Sequence, residues 1–165
     1  MEYNLPSEIV KDLNFGDNAK NKIIAGVNKL AKAVKSTLGA SGKCVIYEDA
    51  LGKPVITKDG VTVAQSVVLF DPVENIGATL IKEAARNTVK QAGDGTTTAT
   101  VLAQEILNEG YRRVESGESP IELKRGMDIA VANIVEALRN YSSHVKGNDE
   151  ITQVATISAN NDSNV

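Results

Sequence analysis

The sequence predicts a mainly α protein of long amphipathic helices with one small β-hairpin inserted after the first. Three observations carry that reading. Ile23, Val27, Leu30, Val34 and Leu38 recur at helical spacing, and Ile24 and Ala31 widen the stripe. Two start signatures, Asp71-Pro72-Val73-Glu74 and Ser119-Pro120-Ile121-Glu122, each place a capping side chain before a proline, with a glutamate two residues further on. Two short strand-forming runs, Lys43–Tyr47 and Pro54–Thr57, flank the turn-rich segment Glu48-Asp49-Ala50-Leu51-Gly52-Lys53.

The totals set bounds on function. A chain of 165 residues fits one domain, or one domain and the start of another, and is long enough for a core without disulfide or metal staples. Aromatics at 4% imply a core of Ile, Val, Leu and Ala. A net charge of -3 gives no broad attraction for nucleic acid or an anionic membrane, so neither is expected as a partner. No apolar run has the length of a membrane span, and Met1–Pro6 carries an early acid and no basic stretch of a leader. Cys44, the lone cysteine, rules out an internal disulfide and suits a reducing compartment; its apolar run predicts a buried core position. One histidine, His144, is too few for zinc or for Ser-His or Cys-His catalysis, and its polar setting predicts a solvated residue.

Residues 1–14 read as a loose arm. The first helix is expected to begin with Gly16-Asp17-Asn18 as its cap and to end at Gly39. Gly39-Ala40-Ser41-Gly42-Lys43 has the end of a phosphate loop but not its spacing, and Cys44 stands where a Mg2+-binding hydroxyl belongs. After the hairpin, Lys58-Asp59-Gly60 forms a tight turn into Val61–Ala64. An exposed Asp-Gly turn accounts for it, and a second carboxylate and a lysine at a ligand site is the sharper alternative.

The helix opened by Asp71 is expected to present Val73, Ile76, Leu80 and Ala84 and to run to about Gln91. The next, from Thr96, should bury Ala99, Leu102, Ala103, Ile106 and Leu107 and fray near Gly110. The one opened by Ser119 should use Leu123, Met127, Ala130, Ile134, Leu138 and Tyr141. Beyond Tyr141 the chain turns polar, with a short helical stretch at Glu150–Ala155, so residues 1–141 read as one unit and 142–165 as the start of another.

The stretch with most chemistry is Gly93-Asp94-Gly95-Thr96-Thr97-Thr98-Ala99-Thr100, in the corner between two helices. Glycines at 93 and 95 can take positive φ and admit a ligand to the backbone. Thr96, Thr97 and Thr98 fall in a first helical turn, whose free N–H groups favour an anion. Asp94 would repel phosphate unless a divalent cation lies between them, an arrangement usual for Mg2+. A Mg-nucleotide loop and a plain capped helix start both satisfy this pattern.

Thr57-Lys58-Asp59-Gly60-Val61, Gly93–Gln104, Leu123-Lys124-Arg125-Gly126-Met127-Asp128 and Thr156-Ile157-Ser158-Ala159-Asn160, in that order, resemble a group I (GroEL-type) chaperonin, and Val34-Lys35-Ser36-Thr37-Leu38-Gly39 fits the same family. The resemblance runs from about residue 13 to the end. Lys58 and the Ile157–Asn160 segment favour the bacterial and organellar group. It departs at Ala40-Ser41, where members usually carry Pro-Lys, and in a slightly longer N-terminal arm.

The resemblance implies the N-terminal part of an equatorial ATP-binding domain over 1–141 and the start of an intermediate domain over 142–165. It implies that Thr37, Leu38 and Gly39 line the nucleotide and that Lys58 lies close to its phosphates. Asp59 would help the hydrolytic centre, Asp94 would coordinate Mg2+, and Gly95, Thr96, Thr97 and Thr98 would hold phosphate oxygens. The implied ligands are ATP and Mg2+, with K+ as a further ion. The implied partners are other subunits in a homo-oligomeric ring, unfolded polypeptide and a cochaperonin, in the cytoplasm. The family's water-activating aspartate and apical domain are expected beyond these residues. The alternative is a non-catalytic module that docks onto complete chaperonin subunits and alters their assembly. A small ATPase with a private phosphate loop is disfavoured, because there is no Walker motif and no strand before Gly93.

Overall fold

The computed structural model describes residues 12–39, 41–159 and 162. The expectations for residues 1–11, for Ala40 and for Asn160 lie outside the described residues. In chain order the elements are α1 (Gly16–Lys35), β1 (Val45–Glu48), β2 (Pro54–Thr57), α2 (Gly60–Ser66), α3 (Pro72–Ala92), α4 (Thr96–Glu115), α5 (Pro120–Tyr141) and α6 (Gly147–Ser158). The mainly α fold with one inserted hairpin is what the sequence predicts. The chain divides into two compact units, one reaching Asn108 and one beginning at Glu109, with the boundary inside α4.

In the first unit α1 packs along α3. Its stripe buries Val27, Leu30, Ala31 and Val34, as its periodicity predicts. One cluster joins Val27 and Leu30 to Ala78 and Ile81, with Val67, Leu69 and Ala103 against it; a second joins Val34 to Val63 and Ala64 of α2. The α1–α3 crossing is very close. A Cβ on Gly26 would stand 1.8 Å from the Glu74 carbonyl oxygen, and one on Gly77 2.0 Å from that of Ile23. Ion pairs from Lys22 to Asp71 (2.7 Å) and from Lys29 to Glu74 tie the same helices at their polar edge.

That crossing corrects the expected face of α3. Gly77, Ala78, Ile81 and Ala85 are buried with Val73, while Ile76 and Leu80 are 54% and 57% exposed. Close approach of the backbones selects the side of α3 with the smallest residues over the side with the larger apolar ones. On α4 the buried residues are Thr96 and Thr100, whereas Leu102, Ile106 and Leu107 are exposed.

α1 ends at Lys35, earlier than Gly39, where the chain tightens into i→i−3 turns: Thr37 N–H donates to the Val34 carbonyl (3.1 Å) and Leu38 N–H to that of Lys35 (3.2 Å), and the Ser36 and Thr37 hydroxyls donate to the carbonyls of Ala33 (2.7 Å) and Val34 (2.8 Å). Its cap position is Phe15, which makes no side-chain capping bond. Strands β1 and β2 pair antiparallel, with Val45 opposite Thr57 and Tyr47 opposite Val55. Two strands leave little depth for burial, and Cys44, just before β1, is exposed rather than in the core.

In the second unit, α4 continues through Gly110 to Glu115 instead of fraying. Glu109 binds both Arg112 and Arg113 across that glycine, which holds the turn together. The two guanidinium groups pull the Glu109 carboxyl down to about 2. The helix closes with Glu118 N–H donating to the Arg113 carbonyl and Gly117 at φ +100°. Ser119 caps α5 as expected. α6 is longer than the predicted stretch, and His144 between these helices is exposed, as its setting predicts. No residue of α5 or α6 is buried, so the expected α5 face of Met127, Ile134 and Leu138 is exposed.

Candidate functional site

Three turns of the first unit carry nearly all the site residues named from the sequence. The first follows α1. Thr37 is half-buried, with its N–H and hydroxyl both on the Val34 carbonyl, and Leu38 and Gly39 are exposed, Gly39 at φ +74°. Gly42 and Lys43 lie back against this turn: Lys43 N–H donates to the Ser36 carbonyl (2.8 Å), and a Cβ on Gly42 would meet the Thr37 carbonyl oxygen at 2.3 Å.

The second turn joins β2 to α2. Asp59 caps α2: Oδ1 accepts from Val61 N–H (3.2 Å), and Oδ2 accepts from the N–H (2.9 Å) and hydroxyl (2.5 Å) of Thr62. Burial is the largest influence on Asp59 and opposes its charge. The Thr62 hydroxyl and the two backbone N–H groups together outweigh it, and the carboxyl is held below its ordinary range. Thr62 was not singled out from the sequence; its position three residues after an aspartate is the capping spacing that could have marked it. Lys58 is exposed and forms no ion pair among the described residues.

The third turn links α3 to α4. Gly93 closes α3 in the left-handed conformation at φ +76°, with its N–H on the Val89 carbonyl, and Gly95 follows at φ +88°. Both glycines therefore take the positive φ that the sequence allows them. Exposed Asp94 turns Oδ1 onto Gly95 N–H (2.6 Å). Thr96 is buried, Thr97 half-buried and Thr98 exposed. The N–H groups of Thr96, Thr97 and Thr98 open α4 and are left without partners by helix geometry.

These turns meet at Gly60. A Cβ built there would lie 2.2 Å from Thr97 Oγ1 and 3.4 Å from Thr37 Oγ1. Hydroxyls from α4 and from the turn after α1 thus converge on the first residue of the helix that Asp59 caps. Asp94, Lys58 and Thr98 sit on the same turns, exposed to solvent. No group of three or more His, Cys, Asp or Glu side chains suited to a metal occurs among the described residues. One exposed carboxylate beside hydroxyls and free N–H groups suits a cation shared with a phosphate rather than one caged by protein.

A family model described as the TCP-1/cpn60 chaperonin family matches residues 30–165. Among solved structures the chain is similar to one titled "Crystal structure of group III chaperonin in the open state", at 28% identity and a TM-score of 0.74. That match covers 88% of this chain and 29% of the other, so the chain spans less than a third of the length of the structure it resembles.

Proposed function

Because this chain belongs to the TCP-1/cpn60 chaperonin family, we propose that it is the N-terminal portion of an ATP-dependent folding subunit of the group I type, with residues 1–141 in the equatorial domain and 142–165 opening the intermediate domain. The meeting of Thr37 and Thr97 at Gly60, beside the Gly93–Gly95 turn, is the observation that carries the nucleotide part. Lys58 and the sequence Ile157–Asn160 support the group I assignment.

In this reading the free N–H groups of Thr96 to Thr98 and the threonine hydroxyls hold phosphate oxygens, Gly95 N–H joins them once Asp94 turns from it to Mg2+, and Thr37, Leu38 and Gly39 line the nucleotide. Asp94 holds Mg2+ against the phosphates, and Lys58 supplies a cation, with K+ as a further ion. Asp59 has both oxygens engaged and a lowered pKa. It therefore serves the hydrolytic centre as a fixed negative charge that sets the turn, and is a poor proton acceptor. In the complete cytoplasmic ring, ATP would drive capture and release of unfolded polypeptide with a cochaperonin.

Asp94→Ala tests the site. Mg-ATP affinity, followed by titration calorimetry, is expected to fall at least tenfold, roughly the minimum for loss of a metal-site residue. Equal binding by the variant would take Asp94 out of the site. The second reading, a module that docks onto complete chaperonin subunits, draws on the exposed apolar side chains of α5. The intact mass of the native gene product separates the two: a product near the length of the family's complete subunits supports the folding subunit, and one of this chain's mass supports the docking module.

A further inference from the structure

We propose that Gly60 is a positioning residue for the nucleotide, and that its missing side chain sets the Thr97 hydroxyl where a phosphate oxygen needs it. The inference rests on the nucleotide reading above. Gly60 is buried, and its φ lies outside the left-handed range, so its backbone does not require glycine. What requires it is space. The nearest atom to a Cβ at this position is Thr97 Oγ1 at 2.2 Å, then Thr37 Oγ1 at 3.4 Å and Thr97 Cβ at 3.5 Å.

The two close approaches differ in kind from those at Gly26 and Gly77, where a Cβ would strike backbone. At Gly60 the obstacle is one rotatable hydroxyl. Thr97 can relieve the overlap by turning χ1 to another staggered position. The hydroxyl then points elsewhere, while Thr97 Cβ remains at ordinary contact distance. Alanine at 60 is therefore expected to leave the helices in place and remove one hydroxyl from the ligand site. Asp59 is the adjoining residue, and its hydrogen bonds to Val61 and Thr62 do not pass through the Gly60 side.

The test is a double-mutant cycle on the gene product at its native length, with Gly60→Ala, Thr97→Val and the pair. Mg-ATP affinity is read by calorimetry, and folding by circular dichroism and the melting temperature. Thr97→Val keeps the shape and deletes the hydroxyl. Each single variant is expected to bind about tenfold or more weakly, the scale of one hydrogen bond to a charged group. The pair should be no weaker than either single variant, because both remove the same hydroxyl. All should melt within a few degrees of the wild type, which a purely structural role for Gly60 would not allow. Wild-type binding with unchanged affinity in Gly60→Ala, or fully additive losses in the pair, overturns the positioning role and leaves the nucleotide reading standing. No Mg-ATP binding by the wild type overturns both.

Discussion

The two units of this chain are built from equally periodic helices and differ in what those helices bury. α1 and α3 enclose Val27, Leu30, Ala78 and Ile81, with Val27, Leu30 and Ala78 fully buried. α5 is as amphipathic in sequence, yet Ile121, Ile129, Ile134 and Leu138 stay exposed, Ile134 at 56%. Periodicity declares that a helix has an apolar face. Whether the face becomes a core depends on a second surface close enough to exclude water, and α3 supplies one to α1. Contiguous apolar surface of the α5 kind commonly marks an association site.

The sharpest way to break this contrast is to delete apolar volume from each unit in turn. Leu30→Ala leaves a cavity in a packed cluster and is expected to cost about 2–5 kcal/mol in urea unfolding followed by circular dichroism. Ile134→Ala removes similar volume from an exposed position and is expected to change stability by no more than about 0.5 kcal/mol. A comparable loss at both positions would mean that the α5 face is covered in solution.

What the sequence revealed of each region follows from how strong a signal the deciding residues carry. The α1 stripe, the caps Asp71 and Ser119, the hairpin and the positive φ of Gly93 and Gly95 were legible, because each rests on a local rule. The packed face of α3 was not, since Gly77, Ala78 and Ala85 have little hydrophobic weight and Ile76 and Leu80 dominate the pattern. Cys44 misled for a related reason: its apolar neighbours belong to a two-stranded sheet with little depth. At the site, Thr37, Asp59 and Thr97 were named from motifs, while their meeting point at Gly60 was read only as a turn. A glycine required for room looks in sequence like a glycine required for a turn.

A smaller effect is expected from filling the crossing that separates the two regions in kind. Gly77→Ala places a Cβ 2.0 Å from the Ile23 carbonyl oxygen, so α1 and α3 must move apart. Overpacking of this sort costs about 1–3 kcal/mol, and roughly 1 kcal/mol of helix propensity gained over glycine offsets part of it. Gly126→Ala on α5 meets nothing within 4 Å and should retain that gain, raising stability slightly. Urea unfolding midpoints of the two variants give the comparison directly; a midpoint raised by Gly77→Ala would mean that the crossing is looser than its geometry.

The smallest effect concerns the polar edge of the same crossing, and it is a matter of pH. The Asp71 carboxyl is held below its ordinary value of 3.8, first by the Lys22 ammonium and then by the N–H groups of Glu74 and Val73. Because folding lowers this pKa, the ionised form is the one the folded state favours. Its contribution is therefore complete above the unfolded value and is lost as the pH falls through the lower folded one. Asp71→Asn keeps an amide that caps α3 nearly as well but removes the charge facing Lys22. Stability measured from pH 6 down to pH 3 should decline less steeply in this variant than in the wild type, with the two curves converging at the acid end. Parallel curves would show that folding does not shift the Asp71 carboxyl, so that Lys22 and Asp71 are neighbours without being coupled.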